Sequence, residues 1–115
     1  MGTQSKSVLT LTVGASGTIS AARFVTTGGA QAGADANTLG VAVTSAVAGD
    51  KIPVDVLGTT TVETGAAVSG GATVKADATG RAIAWVTSGA RLGVTLEAST
   101  GAGQFIEVML VSNAA

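Results

Sequence analysis

The chain contains no cysteine and no histidine. Without Cys there is no disulfide, no thiol nucleophile and no thiolate metal site. Without His the commonest general base and the commonest metal ligand are missing. Tyrosine is also absent, and one Trp and two Phe are the only aromatic residues. Sugar, base and peptide sites are usually anchored by aromatic side chains, so such sites are not expected. Charge is scarce too: Asp, Glu, Lys and Arg make up 11% of 115 residues, against about 25% in a typical soluble domain. A net charge of −1 offers no basic face to nucleic acid. No apolar run approaches the roughly 20 residues of a membrane-spanning helix. The opening MGTQSKS has no apolar stretch behind its Lys, as an export signal would. Lys6 stands where a myristoylation signal needs Ser or Thr.

What the chain does have is Gly, Ala, Val and Thr in a period of two. Val8 to Val13 alternates Leu with Thr. Ile52, Val54 and Val56 share one face, with Lys51, Pro53 and Asp55 on the other. Ile106, Val108 and Leu110 oppose Phe105, Glu107 and Met109 in the same way. Strict alternation over four to eight residues predicts half-buried strands, and β-branched enrichment agrees. Turn residues recur at Gly14 to Gly17, Gly28-Gly29, Ala48 to Asp50, Gly70-Gly71, Thr79-Gly80 and Gly101 to Gly103. The expected fold is all-β, a compact barrel or sandwich of short antiparallel strands. Strands are expected at 7–13, 17–20, 23–26, 39–44, 52–57, 59–63, 66–68, 73–76, 81–86, 91–97 and 105–111. Pro53 cannot donate to a ladder, which predicts an edge or a bulge there. The Ala-rich stretch 30–37 has no helical face and reads as a loop.

The chain also repeats itself. LGVAVTSAVAGDKIPVDVLG, residues 39–58, is echoed by LGVTLEASTGAGQFIEVMLV, residues 92–111. Ser20 to Val25 aligns with Ser69 to Val74, an offset of 49; the offset is 53 at Leu39 and Leu92, and 54 at Ala48 and Ala102. Two copies fit an internal pseudo-twofold better than a solenoid, which needs three or more repeats. The expected organisation is a flexible arm, 1–7, and one β-domain, 8–115, with repeat halves of about 13–58 and 62–111.

Catalysis is hard to assemble from these residues. The carboxylates Asp35, Asp50, Asp55, Glu63, Asp77, Glu97 and Glu107 carry no acid/base spacing. Asp35, Asp50 and Asp77 fall at expected turns, where Asp bonds nearby amides. Asp35 and Asn37 resemble a fragment of a calcium loop but lack the other ligands of one. Gly14 to Gly17 and Thr27 to Ala30 lack the Gly-Lys-Ser/Thr of a phosphate loop and read as turns. Lys75, in a predicted hairpin, resembles the modified Lys of lipoyl and biotinyl carriers, but only Lys75-Ala76 matches their context. A surface Lys beside a turn is the plainer reading. No catalytic, cofactor-binding or metal-binding residue is expected, and no enzymatic activity.

Three stretches together resemble the capsid cement, or head decoration, proteins of tailed bacteriophages: VLTLTVGASGTISA at 8–21, LGVAV to GRAI at 39–83, and RLGVTLEASTGAGQFIEVMLV at 91–111. The most particular parts are the turn from Lys75 to Gly80, Glu97, and Ile106-Glu107-Val108. The resemblance implies a β-rich protein made in the host cytoplasm that binds the outside of a phage head. There it would clamp neighbouring major capsid subunits, with copies of itself as dimer or trimer on the shell. It implies no catalytic residues. The arm residues Gly2, Thr3, Gln4, Ser5, Lys6 and Ser7 are the candidate capsid contacts. The alternative reading is a carbohydrate- or surface-binding β-module of a phage tail or fimbria.

Overall fold

A computed structural model of the chain describes residues 6–110. The strands are β1 (Lys6–Gly14), β2 (Phe24–Val25), β3 (Gly40–Ala42), β4 (Lys51–Glu63), β5 (Thr73–Ala76), β6 (Ala82–Ala84), β7 (Gly93–Thr95) and β8 (Phe105–Leu110). No helix occurs among the described residues. All pairings between strands are antiparallel, in the order β2-β3-β4-β8-β7-β5-β6, with β1 also on β4. The expected strands 52–57 and 59–63 are one long strand. Gly58 joins them at φ 96, a conformation open to glycine and costly for other residues. The expected strands 17–20 and 66–68 shrink to single bridges, Ile19 to Ala46 and Val68 to Ser99.

The internal repeat is written in backbone hydrogen bonds. Ala15 N–H donates to Asp50, Ile19 to Ala46, Ala22 to Ala42 and Gly49 to Ala15. The same four recur as Thr64 to Gln104, Val68 to Ser99, Gly71 to Thr95 and Gly103 to Thr64. The first half of β4 is to β1 what β8 is to the second half of β4: Val13 faces Ile52, and Val62 faces Ile106. Each half also curls toward closure. Ser16 N–H reaches Gly29, and Gly65 N–H reaches Ala82.

Two apolar clusters result. One holds Ala15, Ile19, Val25, Ala42, Ala46, Ile52 and Val54, with Val13, Leu39 and Val56 against it. The other holds Val62, Val68, Val74, Leu92, Ile106, Val108 and Leu110, together with Phe24 and Val41. Directly opposed residues on neighbouring strands share a face. Phe24, Val41 and Asp55 therefore form one row across β2, β3 and β4, while Val25, Ala42 and Val54 point the other way. The first half's sheet is covered on both faces, and Asp55, expected outside, is buried. Glu107 is buried as well, opposite Thr61.

Pro53 is not at an edge. β4 has β1 on one side and β3 on the other. The Pro53 carbonyl accepts from Val43 N–H at 3.2 Å, so the missing N–H points to that same side. It falls just past the two rungs of the β3 ladder, Val41–Asp55 and Ala42–Val54, opposite Val43, where the ladder ends.

The loop 30–37 straps the two halves together. Ala32 and Ala36 pack on the second cluster. Asp35 N–H donates to Ala76, and Asp35 accepts from Ala90 N–H. Small alanines let this crossing lie close to β5 without a groove being cut for it.

Candidate functional site

Of the sequence-chosen contacts, Gly2, Thr3, Gln4 and Ser5 lie outside the described residues. Lys6 and Ser7 begin β1, their backbones opposite Thr59 and Gly58.

Lys75 is occupied. Its Nζ lies 2.7 Å from Asp35 Oδ1 and donates to the Ser88 carbonyl at 3.2 Å. The Lys75 ammonium holds the Asp35 carboxyl below its ordinary 3.8, with help from Ser88 Oγ. The ion pair thus pins the strap loop, with Asp35 itself at φ 61. Asp77 serves its own turn, as its position suggested. Desolvation pushes its carboxyl upward, but amide donation from Arg81 and Thr79 outweighs this and holds it below 3.8. Arg23 Nε and Nη2 both donate to Glu63 Oε1, at 3.1 and 3.0 Å, and Nη1 donates to the Thr79 carbonyl. This fork ties the start of β2 to the end of β4 and the β5–β6 turn. The Trp85 indole N–H donates to Gly89, and the Arg91 guanidinium sits 4.2 Å over its ring. Among the described residues no three His, Cys, Asp or Glu gather where they could hold a metal ion.

A cleft of about 290 Å³ opens where the two halves meet. It is lined by Ala21, Ala22, Ala42, Val43, Asp55, Thr60 and Thr61. Asp55 is 4% exposed. Thr10 Oγ1 donates to its Oδ1 at 2.8 Å, and Thr60 Oγ1 to its Oδ2 at 2.9 Å. The bend at Gly58 brings Thr60 back toward Asp55. Nothing in the sequence marked this site, because alternation assigned Asp55 to solvent.

Several large apolar side chains are exposed on β1, β4 and β8. Leu9 and Leu57 oppose each other across β1 and β4, at 42% and 43% exposure, and Leu11 lies further along β1. On β8, Phe105 and Met109 are open at 55% and 44%.

The fold is that of a small duplicated β-module. The chain belongs to the phage cement protein family, whose model matches residues 3–110; its role is that of a structural, capsid-associated protein of a phage particle. Three solved chains match it. One is the head fiber gp8.5 N base of bacteriophage phi29, with a TM-score of 0.74 and 18% identity over 93% of this chain and 97% of that chain. At that identity the likeness speaks for the fold. Comparison with curated proteins finds no significant match.

Proposed function

We propose that the protein binds the outer surface of a phage head, clamps neighbouring major capsid subunits, and has no catalytic activity. Membership of the phage cement family across residues 3–110 carries this reading. The structure supports it through the exposed Leu9, Leu11, Leu57, Phe105 and Met109, which a lone soluble domain gains nothing by exposing. The residues Gly2 to Ser7 add a contact to a neighbouring subunit, and copies associate on the shell as dimers or trimers. A ligand that binds only the assembled lattice stabilises it by RT ln(1 + [L]/Kd) at each site, and a symmetric shell multiplies that gain.

The experiment mixes purified protein with heads assembled without it, then measures bound copies and the temperature at which heads open. Stoichiometric, saturable binding with raised heat resistance is expected. Heads that neither bind the protein nor gain stability overturn the reading. Deleting residues 2–5, which leaves Lys6 and Ser7 paired with β4, is expected to lower occupancy while leaving the melting temperature of the isolated protein nearly unchanged.

A further inference from the structure

We infer that the cleft over Asp55 is a socket for one basic side chain, Lys or Arg, of the subunit the protein cements; this rests on the capsid-clamp reading above. Asp55 is buried, yet its carboxylate accepts from two neutral hydroxyls, those of Thr10 and Thr60. Among the residues whose side chains are described, 9–110, no cation lies within ion-pair distance of it. Four of the chain's six Lys and Arg residues are engaged elsewhere: Arg23 with Glu63, Lys75 with Asp35, Arg81 with Asp77, and Arg91 over Trp85. A buried carboxylate held by neutral donors alone is costly, and a partner's cation would offset that cost.

The shape fits the same occupant. The cleft measures about 290 Å³, against roughly 10–15 Å³ on the same measure for a single water. That is far more than a bare ion needs. The methyls of Ala21, Ala22 and Ala42 and the side chain of Val43 form an apolar wall, and Asp55, Thr60 and Thr61 supply polar groups. Lys and Arg match that division, with an apolar stem and a charged head.

A second observation points to the same place. Ala22 sits at φ 62, in the left-handed region that favours glycine. Its counterpart in the second repeat is Gly71, at φ 76. The first repeat thus keeps a strained methyl where it lines the cleft, and backbone strain of this kind gathers at functional sites. The counterpart of Asp55 is Met109, so the second repeat carries no carboxylate at this position.

The test uses heads assembled without the protein and the full chain as wild type, Asp55→Asn and Ala21→Leu. Asn preserves the shape, and the Thr10 and Thr60 hydroxyls can rotate to suit it. Asp55→Asn is expected to melt within a few degrees of wild type. Its half-saturating concentration on heads is expected to rise at least about tenfold, with a flatter salt dependence. Ala21→Leu keeps the charge but fills the cleft, and is expected to weaken binding similarly. Undiminished, equally salt-sensitive binding by folded Asp55→Asn overturns the socket. If Asp55→Asn fails to fold, undiminished binding by folded Ala21→Leu overturns it instead. If wild type itself does not bind heads, the capsid reading falls, and the socket with it; wild type that binds alongside unaffected variants removes the socket alone.

Discussion

Gly40→Ala is the sharpest test of how the repeat is built. A Cβ at Gly40 would lie 2.0 Å from the carbonyl oxygen of Asp55. Carbon and oxygen approach to about 3.3 Å at closest in comfortable contacts, so β3 would have to retreat by roughly 1.3 Å. The obstacle is main chain, which has no rotamer to escape into. β3 meets β4 through only two residue pairs, Val41–Asp55 and Ala42–Val54, so the retreat threatens the whole pairing. Overpacking a core costs about 1–3 kcal/mol when side chains can adjust. With a rigid obstacle, about 3 kcal/mol or more is expected. At about 4 °C per kcal/mol for a domain of this size, the melting temperature should fall by more than about 10 °C. Gly101→Ala is the control, since a Cβ there meets nothing within 4 Å, and a change within about 0.5 kcal/mol is expected. Urea unfolding followed by circular dichroism measures both. A Gly40→Ala protein within about 0.5 kcal/mol of wild type would refute the close-approach account. The same account covers Gly93, whose Cβ would lie 2.7 Å from the Met109 carbonyl and 2.6 Å from Val108 Cγ1.

Ile106→Ala removes buried methyl groups from the larger cluster and is expected to cost about 2–5 kcal/mol; a loss under about 0.5 kcal/mol in the same unfolding assay would invert the face assignment. Acid should destabilise the fold through Asp35 and Asp77. Both carboxyls titrate below 3.8 in the folded chain, so their stabilisation is complete above the unfolded value and disappears as pH falls through the folded ones. Melting temperatures from about pH 6 to pH 2 should therefore drop most steeply below about pH 4, and Asp77→Asn should flatten that limb; an unchanged limb would show that Asp77 contributes nothing there.

The alternation of Ile52, Val54, Ile106, Val108 and Leu110 was legible because those side chains do face a core. The repeat was legible because its insertions fall in loops, leaving the offsets of 49, 53 and 54 intact within the paired segments. Asp55 was not legible. A period of two reveals that a strand has two faces, but not that a second sheet covers both. The Gly40 and Gly93 positions were visible as a repeated Leu-Gly-Val, yet the reason for them lies in the partner strand's carbonyls. The strap at 30–37 was illegible for a related cause. Its alanines have no period, and the anchors of Asp35, namely Lys75, Ala76 and Ala90, lie 40, 41 and 55 residues further along the chain (75 − 35, 76 − 35 and 90 − 35).

The duplicated hairpin divides two tasks between equivalent positions. In the first repeat, the row Phe24, Val41 and Asp55 is buried, because the second half packs over it. In the second repeat, the matching row is Thr73, Val94 and Met109, and it stays at the surface, with Met109 open to solvent. The same strand geometry thus presents one face inward and its equivalent outward. The inward copy uses the chain's larger side chains: Phe24 is among the largest fully buried ones. At the outward copy Thr replaces Phe, which lowers the apolar surface left uncovered. Where the two copies meet, the row ends on Asp55 rather than on an apolar residue. A fold governed only by packing would place an apolar side chain there, as the second repeat does with Met109. Violations of this sort concentrate where a chain does something besides fold, and this one lies in the wall of the cleft.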